Sequence, residues 1–215
     1  MIKPILFNTE MVRTILAGKK TVTRRVVKPC PVKKMIYAHD GTTYGYWMDT
    51  TCQPYRLPYR PCDILYVRET WGDYSECQPG GAGYYLYRAD YPDGAKTYSF
   101  NGHICDIPRW HPSIHMPREA ARLFLRVTDV RVERLQDISI ADAQKEGCDG
   151  RGVGPSSGTD GTLCTAPYDF SIERFQTVWD STIKKTDLPL YGWDANPWVW
   201  VIEFERCENP MSSQA

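Results

Sequence analysis

The sequence lacks several features that would define common protein classes. No apolar run approaches the ~20 residues that a membrane-spanning helix needs, and residues 1–8 lack the long apolar segment of a secretory signal peptide. The eight cysteines include no Cys-x-x-Cys pair, so the sequence gives neither a zinc-finger spacing nor a compact disulfide framework. These absences predict a cytoplasmic protein with reduced thiols, no metal site and no membrane partner.

An excess of charge of one sign is also lacking. The chain carries 26 Lys and Arg residues and 26 Asp and Glu residues. This balance excludes binding of nucleic acid through the net charge of the whole chain, but it allows a local basic patch. The contents of 42% hydrophobic and 24% charged residues are typical of a folded globular protein. A length of 215 residues fits one well-buried domain.

Common catalytic and cofactor motifs are absent as well. There is no G-x-S-x-G elbow, no G-x-x-x-x-G-K-[ST] phosphate loop and no H-E-x-x-H pair. The sequence therefore indicates no cofactor.

Local patterns predict an α+β fold. Strands are predicted at 5–7, 19–27, 64–71, 123–135 and 198–206, and helices after the caps at Asn8, Ser139 and Ser171. This order lacks regular strand-helix alternation and favours a small mixed or antiparallel barrel with peripheral helices. Long insertions are predicted at about 30–60, 73–108 and 149–168, with a flexible loop over 151–166 and a disordered tail over 208–215.

The densest polar cluster runs from Gly18 to Arg25 and contains two Lys, two Arg and two Thr residues. One interpretation is an anion or nucleotide cradle, in which arginines supply forked donors and a desolvated lysine supplies a base. The alternative is a solvated basic strand edge that discourages aggregation.

Two glutamates occupy unusual positions. Glu69 lies in an otherwise apolar strand beside Trp71, and Glu146 lies in the last turn of a predicted helix, where the helix dipole disfavours a carboxylate. Both environments favour the protonated form that a general acid needs near neutral pH. The alternative is that each glutamate pairs with an arginine, such as Arg68 or Arg24.

The segment from Trp110 to Arg118 holds two His residues and an Arg around two prolines that stiffen its backbone. It is typical of a binding loop that presents Trp110, His115 and Arg118. The alternative is a rigid connection in which Trp110 and Met116 cap the barrel.

The segment Ile15–Arg25 resembles the signature of ASCH domains, whose PUA-like β-barrel is associated with RNA and nucleoside recognition. The segments 61–71, 112–118, 127–130 and 138–139 are similar to the larger ASCH proteins common in phages and prophages. The resemblance covers the core of a single domain over 1–207 but not its insertions. It implies an α+β fold with a small mixed or antiparallel PUA-like barrel.

One bacterial branch of this superfamily hydrolyses N4-acetylcytidine to cytidine and acetate. Its general base, nucleophile and general acid are a Lys, a Thr and a Glu, which fall by resemblance on Lys20, Thr23 and Glu146. Crowding by neighbouring cations disfavours the charged ammonium of Lys20, whose neutral amine could then activate Thr23. The candidate ligand-binding residues are Gly18, Thr21, Arg24, Arg25, Glu69, Trp71, Trp110, His115 and Arg118.

The sequence supports two hypotheses of different class. The first is an ASCH-type protein that binds a modified nucleoside or RNA in a Lys/Thr/Glu pocket, with hydrolysis of the N4-acyl amide of acylated cytidine as an extension. The second is a non-enzymatic phage protein that binds single-stranded RNA or DNA through the basic turn and the loop 110–118. In that case its affinity should fall with added salt.

Overall fold

The computed structural model describes residues 1–31, 34–38, 46–52, 54–73, 85–100, 103–107, 109–157 and 163–210. These residues form an α+β structure in which strands predominate. The α-helices are α1 (Thr9–Leu16), α2 (Ile140–Lys145), α3 (Ser171–Thr182) and α4 (Leu188–Tyr191). The strands are β1 (Ile2–Leu6), β2 (Val22–Val26), β3 (Met35–Ala38), β4 (Tyr46–Asp49), β5 (Pro54–Tyr55), β6 (Ile64–Arg68), β7 (Trp71–Asp73), β8 (Tyr85–Tyr87), β9 (Thr97–Phe100), β10 (His103–Asp106), β11 (Phe124–Arg134), β12 (Arg151–Ser157), β13 (Leu163–Asp169) and β14 (Trp198–Cys207).

The chain divides into two compact units. Unit 1 comprises Met1–Gly18, Cys62–Arg126 and Glu205–Ala215. Within it, β1 pairs with β6 in parallel and the start of β11 pairs with β6 in the antiparallel sense. The antiparallel pairs β7–β8 and β9–β10 also belong to this unit.

Helix α1 shows how local sequence sets the boundaries in unit 1. The side chain of Asn8 accepts a hydrogen bond from the backbone N–H of Met11, which satisfies a free donor at the helix start. Val12 and Ile15 supply the buried stripe. Gly18 has φ +70°. This left-handed backbone conformation commonly ends a helix, and residues other than glycine rarely adopt it.

Unit 2 comprises Lys19–Pro61 and Val127–Phe204. Strands β14 and β2 pair in the antiparallel sense, from Val199 opposite Val26 to Glu203 opposite Val22. A three-stranded antiparallel sheet, β3–β4–β5, and the hairpin β12–β13 are separate ladders. The core of this unit is a cluster of buried residues to which α3 contributes Phe175 and Trp179. The cluster consists of Val22, Leu135, Ile138, Ala143, Cys148, Phe175, Trp179, Val199 and Val201.

The structure confirms the α+β class, α1, α2 and the strands predicted around 19–27, 64–71, 123–135 and 198–206. The helix predicted after a cap at Ser171 is present as α3, but Ser171 is its first residue and Phe170 occupies the N-cap position. The prediction of a flexible loop is wrong at 151–157 and 163–166, because β12 and β13 pair there in the antiparallel sense, and residues 158–162 lie outside the described residues. The insertion at about 30–60 holds a three-stranded sheet, more than the sequence indicated. Residues 211–215 of the predicted tail lie outside the described residues.

The strand pairings establish ladders within each unit, and a closed PUA-like barrel over 1–207 stays a prediction. No helix in the described part of the chain has the length and apolar character that crossing a membrane requires.

Candidate functional site

Lys20 and Glu146 form a buried ion pair in unit 2. The Nζ of Lys20 lies 2.5 Å from Oε2 of Glu146, and the side chains are 1% and 5% exposed. Lys20 also donates to the carbonyl oxygens of Val22 at 2.8 Å and of Glu146 at 3.0 Å. The Nζ of Lys20 therefore has at least three oxygen acceptors within hydrogen-bond distance.

Lys20 and Glu146 are 126 positions apart in the sequence. The contact between the end of α2 and the start of β2 brings them together. Glu146 is the C-cap of α2, where its backbone N–H donates to Asp142, and Gly147 follows at φ +90°. The helix begins at Ser139, whose hydroxyl accepts from the N–H of Asp142. The backbone N–H of Thr21 donates to the carbonyl of Lys145 at 2.8 Å, which joins the helix end to the start of β2.

Arg24 supports Glu146 from a second side. Its guanidinium lies 3.3 Å from Oε1 of Glu146 and 3.3 Å from Oε2 of Glu133, and its side chain is fully buried. It also stands over the ring of Phe175. Arg131 in turn contacts Glu133 at 2.5 Å, which extends the network toward the surface. This places Arg24 as a support for Glu146 within the protein interior.

The surroundings of the pair are poorly solvated. Cys148 is 4% exposed, and burial raises the pKa of its thiol, with the charge of Glu146 acting in the same direction. Burial also disfavours the charged form of Arg25, and so it lowers the pKa of the guanidinium. Tyr59 and Glu146 act in the opposite direction and raise this pKa. Electrostatic interactions are stronger here than at the surface because water screens them less.

Thr23 lies next to this cluster along the chain. It is buried, and since alternate residues of a strand point to opposite faces, its side chain lies on the other face of β2 from Arg24. No hydrogen bond within the described part of the chain joins Thr23 to Lys20. Thr21 is exposed and its carbonyl accepts from the N–H of Phe204.

Glu69 anchors a second buried cluster, in unit 1. Its carboxylate is 1% exposed and receives two hydrogen bonds from Arg122, at 2.9 and 3.1 Å. Arg122 also contacts Asp90 at 2.6 Å and stands 3.9 Å from the ring centre of Tyr87. Burial raises the pKa of Tyr87 to about 12, partly offset by Arg122. Arg122 is thus the partner of Glu69, in place of the Arg68 considered from sequence.

Arg68 has a different role from the one considered for it. It donates to the backbone carbonyls of Met116, at 2.9 Å, and of Ile114, and so holds the loop 110–118 against β6. His115 and Arg118 are exposed on that loop. Trp110 is half-buried, with Arg88 over its ring.

Trp71 belongs to the same unit as Glu69. Its ring lies 4.9 Å from that of His111 and 5.6 Å from that of Tyr85, and it packs on Met116 and Ala120. Its indole N–H is buried and has no hydrogen-bond partner among the described residues.

The predicted site residues therefore fall into two groups. Lys20, Arg24 and Glu146 are in direct contact within unit 2. Glu69 and Trp71 share Met116 as a neighbour within unit 1. Sequence reasoning missed Arg122 and Glu133, since a charged residue's distant partner leaves no local signal.

The buried carboxyl of Glu69 gives a testable pH dependence. Burial raises the pKa of Glu69 above its ordinary value, and this outweighs the opposing effect of Arg122. Between the ordinary pKa of about 4.3 and the raised one, the folded protein binds more protons than the unfolded chain, so stability falls as pH rises. We expect the free energy of unfolding of the unmodified protein, minus that of Glu69→Gln, to decrease as pH rises through this window. Urea unfolding at a series of pH values measures it, and a difference that grows with pH would contradict the assignment.

Metal ligation finds no support among the described residues, where no three His, Cys, Asp or Glu side chains cluster as ligands. No protein-family model, curated protein or solved structure matches the chain.

Proposed function

We propose that this chain is an ASCH-type, PUA-like protein that recognises a modified nucleoside and hydrolyses the N4-acyl amide of acylated cytidine at the Lys20–Glu146 pair. The observation that carries the proposal is the 2.5 Å contact between these two buried side chains. Burying two charges is expensive, and apolar residues of similar volume often stabilise a protein as well or better. Because stability alone does not require such a buried ion pair, the pair supports the proposal of a catalytic site. The substrate class comes from the ASCH resemblance of 15–25.

A single proton shift would prepare both catalytic groups. If the proton moves from Nζ of Lys20 to Oε2 of Glu146 along their hydrogen bond, Lys20 becomes a neutral amine and Glu146 a carboxylic acid. The amine is the general base that the reaction needs, and the acid is the proton donor for the leaving group.

Thr23 is the proposed nucleophile. Lys20 Nζ lies 2.8 Å from the carbonyl oxygen of Val22, which belongs to the peptide bond formed with the nitrogen of Thr23. The ammonium is therefore beside the Thr23 backbone. This proximity supports the assignment of base and nucleophile.

The chemistry balances in two steps. Lys20 takes the hydroxyl proton of Thr23 as its oxygen attacks the acyl carbon, and the carbon–nitrogen bond breaks as Glu146 protonates N4, releasing cytidine. Water then attacks the acetyl ester of Thr23 as Glu146 takes one of its protons, Lys20 returns its own proton to the Thr23 oxygen as the ester bond breaks, and the acetic acid formed leaves as acetate with its proton passing to solvent. The threonine hydroxyl is restored.

Chromatography of N4-acetylcytidine incubated with the protein tests this proposal. We expect the unmodified protein to release cytidine, and Glu146→Gln to lower the rate by about 100-fold or more, the usual contribution of a general acid. Thr23→Val should abolish release, whereas Thr23→Ser keeps a hydroxyl and should retain activity.

Glu119→Gln is the matched control, because Glu119 is an exposed glutamate of unit 1. It should leave the rate unchanged. Cytidine release that is unaffected by both Glu146→Gln and Thr23→Val, or no release by the unmodified protein, would refute the proposal.

A further inference from the structure

Charge is strongly segregated along the chain despite its net value of zero. The segment Lys19–Pro61, the first part of unit 2, holds nine Lys and Arg residues and two Asp residues. One of the two acids, Asp49, is 3% exposed and accepts hydrogen bonds from Thr51 and Tyr55. Of the nine cations, Lys20 and Arg24 are buried in the ion-pair cluster. The exposed charge that the described part of this segment presents is therefore positive.

The same segment forms a small sheet with a row of aromatic side chains. Tyr37 of β3 lies opposite Trp47 of β4, and Trp47 lies opposite Tyr55 of β5. Residues directly opposite each other in a ladder share a face of the sheet, so the three rings follow one line across the strands. Exposure decreases along the row from β3 to β5. Tyr37 is 57% exposed, Trp47 is half-buried and Tyr55 is 6% exposed.

The open end of this row is suited to contact with flat groups. The rings of Tyr37 and Trp47 have centres 5.4 Å apart and are inclined at 60°, so they do not cover each other's faces. An exposed tyrosine beside a half-buried tryptophan on a sheet offers stacking surfaces to unpaired bases. Two exposed cations flank the row along the chain, Lys34 directly before β3 and Arg56 directly after β5.

We propose that the sheet β3–β4–β5 binds single-stranded nucleic acid, with bases stacked on Tyr37 and Trp47 and phosphates near Lys34 and Arg56. Single strands fit because their bases are free to leave the stack, whereas a duplex hides the base faces. The positive balance of Lys19–Pro61 fits a phosphate backbone. This surface is independent of the proposed hydrolysis, and it lies in an insertion outside the ASCH resemblance.

Fluorescence anisotropy with a labelled oligouridylate of about 12 nucleotides tests the surface without any acylated nucleoside present. We expect binding that weakens as salt rises from about 50 to 200 mM. Tyr37→Ala should weaken binding by about tenfold, the loss expected for one stacked base. Because Tyr37 is largely exposed, this variant should fold normally.

Two controls separate stacking from simple charge attraction. Tyr168→Ala removes another exposed tyrosine of unit 2 and should leave the affinity unchanged. An abasic oligonucleotide of equal length should bind at least tenfold more weakly than the oligouridylate.

Three results would overturn the proposal: no binding at low salt, equal affinity of Tyr37→Ala and the unmodified protein, or equal affinity for the abasic strand. Displacement of the oligouridylate by an oligoaspartate of equal charge, with the same dependence on Tyr37, would assign the surface to an acidic protein instead.

Discussion

Replacing Glu146 by Leu is expected to lower the free energy of unfolding by about 3–5 kcal/mol, the usual loss when one partner of a buried ion pair is removed. The reason is that Lys20 would keep a charge in a site that is 1% exposed and would lose the carboxylate that balances this charge. Arg24 would lose one of its carboxylate partners at the same time. Urea unfolding at neutral pH measures the change.

The double variant Lys20→Met/Glu146→Leu is the decisive control for this prediction. It removes both charges and fills the space with apolar side chains, so it should recover most of the stability lost by the single variant. Arg24 would still be held by Glu133. A loss below about 1 kcal/mol for Glu146→Leu, as for an exposed ion pair, would show that the pair is not buried as described.

Replacing Arg122 by Leu is expected to have an effect of similar size in unit 1. Glu69 would keep its carboxylate in a position that is 1% exposed and would lose both of its side-chain donors. A charge left buried without a partner costs about 3–5 kcal/mol, and Asp90 and the Tyr87 ring would lose contacts as well. Thermal and urea unfolding measure this loss.

Arg109→Leu is a matched control, since Arg109 is an exposed arginine of the same unit. It should change the free energy of unfolding by less than about 0.5 kcal/mol. Adding Glu69→Gln to the Arg122→Leu protein should restore part of the lost stability, because the buried charge is removed. If Arg122→Leu and Arg109→Leu unfold alike, the Glu69 cluster has no structural role.

Elements with strong local signals were predictable from the sequence. Asn8 as a cap, the apolar stripe with Val12 and Ile15, and Gly18 in a left-handed turn each act within a few residues, and together they define α1. Ser139 and Gly147 define the limits of α2 in the same way, and so place Glu146 at a helix end.

The pairing of β12 with β13 was not predictable because the residues of these strands have the composition of a loop. Its strands contain Gly152, Gly154 and Pro155, which are typical of turns and loops, and the ladder forms through backbone pairing with the segment around Thr165. Turn-forming composition outweighed any strand pattern in the sequence.

The contacts between residues of the candidate site could not be predicted from local sequence patterns either. Lys20 and Glu146 were named through the ASCH resemblance, and their contact across 126 positions is a property of the folded chain. Arg24 is one of the arginines considered above as a partner for these glutamates, and its contact with Glu146 is present. For Glu69 the actual partner is Arg122, 53 positions away, because the fold rather than the spacing brings them together.

The proposed exchange of a proton between Lys20 and Glu146 during amide hydrolysis is tested by the variant Lys20→Arg. Arginine keeps the positive charge and can donate to Glu146, but its guanidinium remains protonated and cannot serve as a base. With folding checked by circular dichroism, we predict that the unmodified protein releases cytidine from N4-acetylcytidine and that Lys20→Arg releases none. Release by Lys20→Arg at the rate of the unmodified protein would contradict the account.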